Sequence, residues 1–156
     1  MKKIISFSLS LCFLFLAVQL NASAQEQFPP QAGWSCSLVD SRPGGQQNPE
    51  PYRFNFCANS NAFGSVRIGI TDMIDHAAQL DTSQGGEFYQ LTATLATGQV
   101  LFRVAVTSNV MVFDMSAHMG HPVTFTLSGA GRWTSPGGRL PLMVIEPTRT
   151  SLVIGR

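Results

Sequence analysis

Apolar residues in this chain recur at every second position, in short runs separated by Gly, Pro, Asn and Ser. That period of two leaves few folds open besides an antiparallel β-domain. Residues 52–57 put Phe54 and Phe56 toward a core, and 65–73 put Val66, Ile68 and Ile70 inward with Arg67 and Thr71 outward. The run 88–95 alternates Tyr89, Leu91, Ala93 and Leu95, and 99–107 places Val100, Phe102, Val104 and Val106 on a single face. Ala96-Thr97-Gly98 between them is short enough for a hairpin containing glycine. A strand over 34–39 carries Trp34, Cys36 and Leu38 on one face, and 122–128 turns Val123, Phe125 and Leu127 inward. Residues 140–145 and 151–154 read as two late strands parted by Pro147. The expectation is a mostly β domain, all-β or α+β, in which about eight short strands form a small antiparallel barrel or sandwich.

One segment departs from the alternation. Met111, Met115 and Met119 recur every fourth residue, Asn109 is a good N-cap, and Gly120 and Pro122 are stop signals. The spacing predicts a short helix near 110–119, although Val110-Met111-Val112-Phe113 also suits the start of a strand. Such a helix would plug one end of the domain or lie on an open face.

The amino terminus gives an address. Lys2 and Lys3 precede an apolar run over 4–18, and Ala22-Ser23-Ala24 offers a small-residue cleavage site. Residues 1–24 therefore read as a secretory signal peptide, too short and wrongly flanked for a membrane span. A flexible lead-in over 25–33 follows, then one β-rich domain over 34–156. Both lysines leave with the signal, so eight arginines face nine carboxylates and the mature formal charge is −1. That balance argues against nucleic acid, which needs clustered positive charge. The expected location is the periplasm or the extracellular space.

Cysteine usage agrees with export. Cys12 departs with the signal, leaving Cys36 and Cys57, most simply one disulfide in an oxidising compartment. The loop 41–51 that it helps to close is rich in Pro, Gly and Gln and cannot order itself by burial.

Four places carry candidate chemistry. Met111, Met115, His118, Met119 and His121 combine thioethers and imidazoles, a set suited to copper, so a periplasmic copper-handling role is one alternative. Methionines at this spacing are otherwise gap-filling core residues. Asp72, Asp75, His76, Asp81 and Glu87 form an acidic stretch that reads as a solvated loop, with Ca²⁺ binding or acid–base work as the rival. The Gly-rich loop 129–139 presents Arg132, Trp133 and Arg139, residue types that anchor partner surfaces. There, Trp133 is the apolar anchor or, equally, a lid on the core. No Gly-x-Ser-x-Gly elbow marks a nucleophile.

The run Ser128 to Trp133 resembles a stretch of the periplasmic lysozyme inhibitors of the membrane-associated or c-type class, small exported β-domains with a disulfide. The resemblance covers six residues, with Trp133 where that class has tyrosine, and it keeps a secreted hydrolase inhibitor beside a small hydrolase among the alternatives. The leading expectation is an exported, non-catalytic binding module without a cofactor. It would recognise a protein or glycan through Arg132, Trp133 and Arg139.

Overall fold

A computed structural model describes residues 33–45, 52–72, 79–83 and 88–156. The signal peptide and nearly all of the lead-in lie outside the described residues, as do Asp75, His76 and Glu87. The strands are β1 (Ser35–Pro43), β2 (Tyr52–Ser60), β3 (Ser65–Asp72), β4 (Gln79–Leu80), β5 (Tyr89–Leu95), β6 (Val100–Ala105), β7 (Val110–Asp114), β8 (Pro122–Gly131), β9 (Trp133–Ser135), β10 (Gly138–Arg139) and β11 (Met143–Val153). Eight of them make one sheet in the order β6-β5-β8-β11-β1-β2-β3-β7, every pairing antiparallel. A small second sheet has the order β10-β9-β4.

Chain connectivity forces the large sheet to curl. Laid flat, its outermost strands would stand about 34 Å apart at the usual strand spacing. Yet those two strands, β6 and β7, are joined by residues 106–109 alone, a link reaching at most about 18 Å. Phe102 of β6 and Phe113 of β7 accordingly stack, ring centroids 4.6 Å apart. The result is a curled half-barrel rather than a two-sheet sandwich. No ladder joins β6 to β7, so side chains rather than backbone hydrogen bonds meet at the seam.

Alternation fills the interior as expected. Phe54, Phe56, Val66, Ile68, Ile70, Tyr89, Leu91, Ala93, Val123, Phe125 and Leu127 are all buried. Val100 is an exception: the register shifts between Ala93 and Thr94 where β5 meets β6, and Val100 emerges half exposed. The expected disulfide forms between Cys36 and Cys57, which face each other directly across β1 and β2.

Three expectations need correction. Residues 110–119 are not a helix; β7 pairs with β3 and a single 3-10 turn, Ser116–His118, follows. A spacing of four is an even number, so Met111 and Met115 share a strand face as readily as a helix face. The β-branched Val110 and Val112 decide for the strand, where they point outward. Asn109 does not cap a helix; its side chain accepts from Leu80 N (2.9 Å) and donates to Ile70 O (2.9 Å), tying β4 to β3. The two late strands are one: β11 passes through Pro147, which sits at a register shift between Ile145 and Thr148. The Gly-rich loop over 129–139 is mostly strand, divided among β8, β9 and β10.

Trp133 takes the plugging role expected of the helix. It is fully buried, 5.1 Å from the Phe54 ring and 5.7 Å from that of Tyr52, and its Nε1 donates to Tyr89 Oη at 3.2 Å. Burial pushes the Tyr89 phenol pKa up, which keeps the group neutral. Gly131 lets the β8 backbone pass over the Tyr89 ring: a Cβ there would lie 2.5 Å from a ring carbon. Gly131→Ala is therefore expected to destabilise by about 1–3 kcal/mol through overpacking. A shifted urea midpoint checks this, and an unchanged one would show that the ring can step aside.

Candidate functional site

The residues that the sequence offers as a site are placed differently from one another. Trp133 lies in the core and cannot touch a partner, so its expected part as a surface anchor is corrected to the lid. Arg139 finds its carboxylate within the chain, with Nε 2.8 Å from Asp81 Oδ2. Arg132 is half-buried, and its carbonyl accepts from Asp81 N at 2.8 Å. Arg132, Asp81 and Arg139 thus tie the small sheet together above the Trp133 plug.

Asp81 is the described member of the acidic stretch whose environment is most defined. Its carboxyl pKa is held below the usual 3.8, first by the Ser83 hydroxyl, then by Ser83 N–H, with Arg139 adding to both. A lowered folded-state pKa stabilises the fold above the ordinary value, and that contribution is lost as pH falls through the lowered one. Asp81→Asn should accordingly melt below the native protein at neutral pH, with the gap closing in strong acid. A gap that persists in strong acid would mean that packing, not charge, carries the effect.

The methionine and histidine candidates divide between interior and surface. Met115 is buried in the core and Met111 packs against it, whereas Met119 is exposed and His121 lies in solvent. His118 is half-buried in the 3-10 turn. Met119 lies over Gly64 and Gly155, where a Cβ on either would come within 3.0 Å of its sulfur. Among the described residues, no three His, Cys, Asp or Glu gather as a metal centre.

A different surface is concave. The outer wall carries a groove of about 480 Å³ between β1 and β11, lined by Leu38, Asp40, Arg42, Val144, Glu146 and Thr148. That volume is within the range of sites for small ligands and peptide side chains. The physical cause is local. Regular pairing of β1 with β11 covers only Ser41, Arg42 and Pro43 against Ile145, Val144 and Met143, and stops where Glu146-Pro147 shifts register. Beyond the gap, side chains bridge the strands: Ser37 Oγ donates to Arg149 O at 2.6 Å, and Ser35 and Thr150 hydroxyls lie 2.9 Å apart.

Strand parity decides which residues line the groove. Val39 and Ser41 point inward and are buried, so Leu38, Asp40 and Arg42 must point outward. Leu38 is 51% exposed and Val144 is 44% exposed, placing two large apolar side chains among the polar Asp40, Arg42, Glu146 and Thr148 of the groove. Asp40 pairs with Arg53 at 2.9 Å, an exposed contact worth little to stability. Among the described residues, neither Arg42 nor Glu146 joins an ion pair.

Sequence reasoning groups Cys36 and Leu38 on one face, as β1 does, yet does not reveal that this face is the outer one. The available signal is the interior of β1, where Ser35, Ser37 and Ser41 stand at alternate positions with Val39. Small polar residues read as solvent-facing unless their hydroxyls have partners on neighbouring strands, as these do. Compared with known proteins, the chain matches no family, no curated relative and no solved structure.

Proposed function

We propose that the chain is an exported, non-catalytic binding module whose recognition surface is the groove between β1 and β11. The observation that carries this reading is the grouping of exposed Leu38 and Val144 with Arg42 and Glu146, which join no ion pair among the described residues, around one concave site. Apolar side chains left on an outer wall and rimmed by charge are what an interaction site needs. The Cys36–Cys57 disulfide suits an oxidising compartment, which is the support for export. It also fixes β1 two residues from Leu38, so the groove's wall is anchored before any partner arrives. The Gly-rich segment serves as the small sheet that covers the core.

Native mass spectrometry of the protein recovered from its own exported fraction tests the reading. The expected species carries a protein or glycan, and in that complex the amides of 38–42 and 144–148 are protected from hydrogen exchange. Protection elsewhere, with those amides unchanged, would overturn the groove as the recognition surface.

A further inference from the structure

We propose that the groove takes an extended polypeptide segment bearing an acidic, a basic and an aliphatic side chain at every second residue. This rests on reading the groove as the recognition surface and goes further by naming the chemistry of the occupant. The outward residues of β1, Arg42, Asp40 and Leu38, set three levels. Arg42 stands directly across from Val144. Two residues further along β1 stands Asp40, with Glu146 of the bulged part of β11 lining the same groove, and two further again stands Leu38; Thr148 also lines the groove, but past the register shift it pairs with the inward-facing Leu127. Successive levels are therefore about 7 Å apart, the repeat of same-side residues in an extended chain.

Charge on each level selects its counterpart. Arg42 has no carboxylate partner among the described residues and offers a planar fork suited to one. Glu146 likewise joins no ion pair among the described residues, and Asp40, which lines the same groove, is already shared with Arg53, so the middle level favours a cation. Leu38, half exposed, presents aliphatic surface at the third level. A polypeptide supplies an acid, a base and an aliphatic group at this spacing. A neutral oligosaccharide supplies none of the three, and the groove has no aromatic lining residue on which a sugar ring could lie.

The test uses the disulfide-intact exported protein and three probes, followed through amide resonances of 38–42 and 144–148. The first probe is the end-blocked peptide Asp-Thr-Arg-Thr-Leu, with its reverse sequence to allow either direction. The second is the charge-exchanged Arg-Thr-Asp-Thr-Leu, and the third a neutral chitotetraose. We expect the first, in one direction, to bind at least tenfold more tightly than the second, and Arg42→Glu with Glu146→Arg to reverse that preference. Both side chains are exposed, so the double variant should fold; if it does not, the comparison of peptides on the native protein decides. Equal binding of both peptides, or movement of these resonances by neither, overturns the inference. Movement by the saccharide alone overturns it too, while leaving the groove as the recognition surface.

Discussion

Replacing Trp133 with alanine is expected to lower the free energy of unfolding by about 3–5 kcal/mol, the range for deleting a large buried aromatic side chain. The indole fills the end of the barrel, touches Tyr52 and Phe54, and satisfies the buried Tyr89 hydroxyl. Deleting it opens a cavity among rings that cannot all collapse, and removes the hydrogen bond to the buried Tyr89 hydroxyl. Against a typical domain stability of 5–15 kcal/mol, such a loss leaves the fold marginal. Trp133→Phe separates the two contributions: it keeps most of the aromatic volume but loses the Nε1 donor, and should cost about 1–3 kcal/mol. Urea titration measures both. A change below about 1 kcal/mol for the alanine variant would place the indole outside the core and restore the surface reading of the Gly-rich segment.

Removing the disulfide should have the second largest effect. The cysteines are 21 residues apart in sequence, and closing a loop of that length in the unfolded chain is worth about 3 kcal/mol in the loop-entropy treatment. The intervening chain includes the Pro- and Gly-rich stretch before β2, whose composition offers few apolar side chains. Cys36→Ala with Cys57→Ala is therefore expected to lower the urea midpoint strongly while leaving the β1–β2 register intact. Its amide spectrum at low denaturant should resemble that of the native protein. A loss of well under 1 kcal/mol would mean that the unfolded chain is already compact around this loop.

The large sheet was legible because its strands obey alternation with little interference. Phe54 and Phe56, Val66 to Ile70, and Val123 to Leu127 each point where their period places them. Two features misdirected the remainder. Methionines four apart satisfy both helical and strand periodicity, so Met111 and Met115 carry no information that separates the two. Proline and glycine read as punctuation, but Pro147 sits at a register shift and Gly131 serves a close approach to Tyr89, both inside strands. The candidate site was hidden for a different reason. Its residues come from β1 and β11, about a hundred positions apart in the chain, and only the paired strands reveal that their outward rows converge. Arg132 and Arg139 drew notice because they stand beside a tryptophan in a glycine-rich run. The fold uses that run to close its own end.

Partner capture by two double variants tests the central claim most directly. Leu38→Asp with Val144→Asp changes the groove alone, whereas Arg132→Ala with Arg139→Ala changes the surface of the small sheet. Each would be exchanged for the native chain in its own exported fraction and recovered with whatever it holds, after a melt confirms folding. The account predicts that the groove variant comes back bare and that the arginine variant keeps its partner. Retention by the groove variant together with loss by the arginine variant would contradict it and return recognition to the small sheet.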